Sequence, residues 1–150
     1  MYCKYRIKNS KITGNSYSTI NFNDVTTIGS YGLYYAFTNL TSITSVSFSS
    51  LTTVGDYGLY NAFNGCSGIT SIAFPNLTSI STYGLGYSFQ NCSGLTSVSF
   101  PKLTTIGNNG LINAFSGCTN LTAIHYKASM ESTIGTNTFG ASNATNYFDL

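Results

Sequence analysis

Charge is scarce in this chain of 150 residues: only 7% are Asp, Glu, Lys or Arg, against roughly 25% in an ordinary soluble domain. The formal net charge of +2 is too small for a chain-wide nucleic-acid footprint. Acidic side chains number four, Asp24, Asp56, Glu131 and Asp149, scattered one per region. No spacing among them sets two carboxylates across one cleft. No apolar run approaches the length of a membrane span, so no membrane insertion is expected. Met1 to Lys11 carries Lys4, Arg6, Lys8 and Lys11 with no apolar segment behind them, so no secretory signal is expected. Sparse charge with abundant Ser, Thr, Asn and Gly is also a composition of disorder, but 15% aromatic and 42% hydrophobic residues oppose that.

What the chain does have is a repeat. Val25, Leu51, Leu77 and Leu103 open four units in one register, 26 residues apart. Each continues with Ile28, Val54, Ile80 or Ile106, then Gly32, Gly58, Gly84 or Gly110 followed by Leu33, Leu59, Leu85 or Leu111. Phe37, Phe63, Phe89 and Phe115 recur, as do Ile43, Ile69, Leu95 and Leu121. Val46/Phe48, Ile72/Phe74, Val98/Phe100 and Ile124/Tyr126 close the units, and Ile20/Phe22 stand one period earlier. A fixed period of this size marks a solenoid.

Two periodicities coexist within a unit. The I-x-F pairs alternate as a strand with one buried face does. Leu59, Ala62, Phe63 and Cys66 fall at the i, i+3, i+4, i+7 spacing of a short helix. Ser30, Asp56, Thr82 and Asn108 precede that stripe as N-cap types, and Asn39, Gly65, Asn91 and Gly117 follow it as helix-ending types. Each unit is therefore expected to be a short helix or helical turn, a strand, and a return bend marked in two units by Pro75 and Pro101. Stacked strands must run parallel, about 4.8 Å apart.

The pattern Ala62-Phe63, Cys66, Ile69, Ile72, Phe74-Pro75 is similar to the BspA-like subclass of bacterial leucine-rich repeats. The likeness covers about residues 17–126, with Leu40 where Cys stands in the later units. It implies a leucine-rich-repeat solenoid with parallel strands on one face. It also implies an extracellular or cell-surface protein that takes part in adhesion to a host matrix or to other cells. The domain reading is one unit over 1–150: an N-terminal cap at 1–16, a partial plus four full repeats at 17–126, and a C-terminal cap at 127–150. Alternation of Cys3, Tyr5 and Ile7 with the basic residues suits an edge strand in the first cap.

Few residues invite chemistry. Cys66, Cys92 and Cys118 share one column whose spacing bears no relation to a zinc cluster, and they read as buried thiols. His125 falls where the last full strand points to solvent and reads as a solvated strand residue; it could act as a base only if the fold brought a Ser or Cys nucleophile within hydrogen-bond reach. No phosphate loop or dinucleotide fingerprint is present. No enzyme, cofactor or metal site is expected.

Two surfaces remain. The outward strand positions, Ser45/Ser47, Ser71/Ala73, Ser97/Ser99 and Ala123/His125, are small and flat. Regular hydroxyls hint at an ice-binding solenoid, but the Thr26/Thr27, Thr52/Thr53 and Thr104/Thr105 columns fall in the bend. Opposite the Leu-Ala-Phe-Cys stripe lie Tyr31, Tyr34 and Tyr35, then Tyr57, Tyr60 and Asn61, then Tyr83, Gly86 and Tyr87, then Asn109, Ile112 and Asn113. Tyr and Asn make adaptable contacts in binding surfaces, and this band varies while the core columns hold. The expected function is a non-catalytic module that binds a protein or glycan through this band. The alternative is a subunit of a phage particle or other assembly, with a virion location and copies of itself as partners.

Overall fold

The computed structural model describes residues 18–130 and 145–149. Within them the chain is a parallel β-solenoid of about four coils. The edge strand and the basic cluster expected in residues 1–16 lie outside the described residues, as does most of the segment 127–150.

Each coil makes two short strands. The first set is β1 (Thr19–Asn21), β3 (Ser45–Ser47), β5 (Ser71–Ala73), β7 (Ser97–Phe100) and β9 (Ala123–Lys127). The second set is β2 (Thr27–Ile28), β4 (Thr53–Val54), β6 (Ser79–Ile80) and β8 (Thr105–Ile106). All pairings within these two sets are parallel and join residues one period apart, as in Ile72↔Val98 and Val54↔Ile80. The bend expected after each long strand thus contains a second sheet, in the order β2-β4-β6-β8. The first set is hydrogen-bonded as a β1–β3 pair and as a β5-β7-β9 ladder, to which β10 (Thr145–Asp149) adds beyond β9. β10 leaves the period: Thr145 pairs with Ala123, where a 26-residue step would bring Asp149.

Side chains alternate on the long strands as the I-x-F pattern requires. Val46, Ile72, Val98 and Ile124 are buried, while Ser45, Ser71 and Ala73 are exposed. Inside, two phenylalanine ladders run along the stack. Phe22, Phe48, Phe74 and Phe100 stack with centroids 5.1, 5.3 and 5.1 Å apart. Phe37, Phe63, Phe89 and Phe115 follow at 5.2, 5.4 and 5.8 Å. The ladders meet edge to face within a coil, as Phe48 and Phe63 do at 6.2 Å and 79°. The Phe48–Phe74 stack crosses the gap between β3 and β5, so side-chain packing holds the coils together where the strand ladder is interrupted.

The third run of each coil corrects the sequence reading: no α-helix forms over the Leu-Ala-Phe-Cys stripe among the described residues. In its place is a run of overlapping turns in which successive amides alternate between two acceptors. Gly58, Tyr60, Ala62 and Asn64 donate to the carbonyl three residues back. Tyr57, Leu59, Asn61, Phe63 and Gly65 donate instead to Thr82, Gly84, Gly86, Ser88 and Gln90 of the next coil, at 2.8–3.0 Å. Half of the amides that a helix would use internally therefore stitch coil to coil. The geometry needs a left-handed residue at every fourth position: Tyr57 (φ 54°), Asn61 (53°) and Gly65 (76°) in the second coil, with equivalents in the others. A helix tolerates no such residue. The presumed cap Asp56 follows the same rule, accepting a bond from the Thr82 amide of the next coil at 3.1 Å.

Candidate binding face

Because every fourth residue of the turn run is left-handed, its neighbours project alternately inward and outward. Leu59, Phe63 and Cys66 go to the core, and the 31/57/83/109 and 34/60/112 positions go outward, with Gly86 buried in the second row. Tyr31, Tyr57 and Tyr83 stand one per coil and stack with centroids 5.1 and 5.0 Å apart and ring planes within 4° and 11° of parallel. Asn109 ends the row by donating its amide to the Tyr83 phenol oxygen at 2.9 Å. Tyr34 stacks on Tyr60 at 5.5 Å beside it.

Gly86 then leaves space in the second row. A Cβ there would lie 3.0 Å from Tyr60 Cδ2 and 3.3 Å from Ile112 Cγ2. Tyr60 leans over it to meet Tyr83 and Tyr87 edge-on, at 6.1 Å and 5.5 Å. Asn113 donates to the Tyr87 phenol oxygen at 3.4 Å, as Asn109 does to Tyr83. The rings therefore form one connected sheet of aromatics three coils long.

Exposure grades along it. Tyr31, Tyr34 and Tyr35 are 58%, 44% and 49% exposed, while Tyr57, Tyr60, Tyr83 and Tyr87 are half-buried against one another. Two residues of the expected band are not on the surface: Gly86 is buried, and Asn61 is only 6% exposed. Its Oδ1 accepts from Asn64 Nδ2 at 2.7 Å, and Asn64 also donates to Gln90 Oε1 at 3.0 Å. Asn61 fixes the turn run instead of facing a ligand. Asn109 is exposed and Asn113 half-buried.

Two phenols at the middle of the band are held in the neutral form. Desolvation, then the Tyr31, Tyr83 and Tyr34 phenols and Asp56, raises Tyr57 above its usual 10.0. Desolvation, then Tyr35 and other neighbouring phenols, does the same for Tyr60. The rings also sit where they are costly. Tyr31, Tyr35, Tyr57, Tyr83 and Tyr87 all have φ between 54° and 58°, a region that Asn and Gly occupy more cheaply. Asn109 and Asn113 show that Asn fits both columns.

The other candidates are absorbed by the fold. Cys66, Cys92 and Cys118 are buried and unpaired, and each thiol donates to the carbonyl of Phe37, Phe63 or Phe89, at 3.0, 3.2 and 3.0 Å. Burial pushes Cys66 and Cys118 up to about 11, and Cys92 higher still. The Thr52, Thr78 and Thr104 hydroxyls each donate to the preceding coil's carbonyl, at 2.9–3.1 Å, so this column is spent on stitching. No group of three His, Cys, Asp or Glu side chains is placed to hold a metal among the described residues. No helix there is long and apolar enough to cross a membrane.

A coil whose longer strand carries inward aliphatics, with a short second strand and a separate outer run, is compatible with the plan of a leucine-rich-repeat protein. The family model for the BspA type leucine-rich repeat region matches residues 5–146 with six copies, and the chain belongs to that family. No curated protein and no solved structure shows significant similarity to the chain.

Proposed function

We propose that this solenoid is a non-catalytic recognition module that binds a protein or glycan on a cell or matrix surface through its tyrosine band. The family is one of surface repeat proteins, which supports the setting. The observation that carries the reading is the placement of five tyrosines in left-handed backbone positions where Asn fits at lower cost. The core does not require them, because their rings lie outside it. A surface that keeps strained aromatics in a neutral, ordered row is built for contact.

The test is capture by the immobilised chain of a panel of matrix proteins and polysaccharides. It is run beside a variant carrying Tyr31→Asn, Tyr57→Asn and Tyr83→Asn, whose fold is checked by circular dichroism. The wild type captures at least one member and the variant loses it. Equal capture by both removes the band from the account.

A second reading, assembly into a particle or filament, has one supporting observation. Tyr31, Tyr34 and Tyr35 are all strongly exposed on the first described full coil, where aromatics of another copy could extend the stack. Light scattering over a hundredfold range of concentration separates the two. Recognition predicts a 16.1 kDa monomer throughout, and assembly predicts an oligomer that the Tyr changes dissolve.

A further inference from the structure

The stacked geometry restricts what can lie on the band. Tyr31, Tyr57 and Tyr83 turn their ring faces toward one another, so the ladder offers solvent its ring edges and hydroxyls. Aromatic edges carry the positive end of the ring quadrupole, and a phenol hydroxyl can donate. The Tyr83 and Tyr87 oxygens already accept from Asn109 and Asn113, which leaves their protons for an outside acceptor. The ladder therefore presents repeated donors and positive edges, with no formal charge among Tyr31, Tyr57, Tyr83 and Asn109. Asp56, the charged residue that acts on Tyr57, accepts from the Thr82 amide. Such a row fits a neutral chain rich in acceptor oxygens.

Spacing narrows the choice further. The rings recur every 5.0–5.1 Å along a rigid axis. An extended peptide advances about 3.3 Å per residue and a polyproline helix about 3.1 Å, so neither stays in step with the ladder. An extended β-1,4-linked hexopyranose chain advances nearly one coil spacing per sugar, and its hydroxyl and ring oxygens are acceptors.

We infer that the ligand of the tyrosine band is a neutral, extended β-1,4-linked glycan lying along the solenoid axis, about one sugar to each coil. This rests on the recognition reading above and adds the ligand's class and direction. Tyr57 is at the centre of the contact. Tyr60, leaning over Gly86, forms one wall along the chain.

The experiment is calorimetric titration of the full chain with cellohexaose, chitohexaose, mannohexaose and xylohexaose, with α-linked maltohexaose as the chain of wrong shape. At least one β-linked hexaose binds and maltohexaose does not. Affinity for that sugar rises from disaccharide to tetrasaccharide and levels off beyond, because the column spans four coils. Tyr57→Asn, which suits the backbone at that position, weakens binding by about tenfold. Tyr57→Phe, which keeps the ring and loses the donor, weakens it by less. Failure of every β-linked hexaose at millimolar concentration, equal binding of maltohexaose, or indifference to Tyr57→Asn overturns the inference. If the hexaoses fail while the triple Tyr variant still loses capture of a matrix protein, the glycan falls and recognition stands. If the triple variant changes no capture at all, both fall.

Discussion

A tyrosine at φ 54° is strained, by about 1–2 kcal/mol relative to a residue that accepts the left-handed region. Stacking against two neighbours returns about 0.5–1.5 kcal/mol per pair. These two effects nearly cancel at Tyr57, so Tyr57→Asn is expected to melt within a few degrees of the wild type while altering binding. Gly65 gives the contrasting case. It sits at φ 76°, and an added Cβ would collide with the Asn39 side chain of the preceding coil. Gly65→Ala therefore destabilises by about 1–2 kcal/mol from conformation alone, whereas Asn39→Gly changes stability by a few tenths. Urea unfolding of the two variants checks the pair. At this scale the sequence was partly legible: Asn39, Gly65, Asn91 and Gly117 were expected to end helices, and although no helix forms among the described residues they do take the left-handed backbone. The tyrosines in the same conformation were not legible, because nothing in Tyr as a residue type points there.

The elements that hold the stack together are columns. Phe63 is fully buried, stacks on Phe37 and Phe89 and meets Phe48 edge to face. Phe63→Ala is expected to destabilise by about 3–5 kcal/mol in denaturant unfolding, because rigid ladders on both sides cannot collapse into the gap. The thiol column gives a pH prediction. Cys66 and Cys118 titrate near 11 in the folded chain, against about 9 when free. Between those values the unfolded state has lost a proton that the folded state retains. Stability then falls as pH rises, by about 1.4 kcal/mol per unit for each thiol, and levels off above 11. Replacing the three column cysteines with Ala flattens that decline relative to the wild type, as thermal melts from pH 8 to 11 would show. The helix expected over this column was misread for a reason visible in the residues. The left-handed residues Tyr57, Asn61 and Gly65 recur every four residues, and over the single step from Leu59 to Phe63 a period of four is hardly distinguishable from 3.6. Gly58 and Gly84, sitting inside the presumed helix, were the contrary signal.

For the whole molecule, identical stacking makes the coil the unit of folding. Each coil contacts its neighbours through the same columns, so removing residues 52–77 joins equivalent positions and preserves the register. That deletion is expected to fold, with a smaller denaturant m-value and lower stability, while removal of half as many residues leaves no folded state. This scale was the most legible in the sequence, since a fixed period dictates a solenoid whatever each run of the coil turns out to be. The band was legible as a set of columns. What the sequence did not disclose was that the rings face one another, because that follows from a coil spacing set by hydrogen bonds between distant residues.

The most direct test of the tyrosine face is nuclear magnetic resonance of the chain with ¹³C-labelled tyrosine and ¹⁵N-labelled backbone, titrated with whichever partner it captures. The account predicts that the ring signals of Tyr57, Tyr60, Tyr83 and Tyr87 move together, while the amides of Ser71, Ala73 and Ser97 on the strand face stay in place. Shifts gathered on the strand face, with the tyrosine rings unmoved, would contradict it.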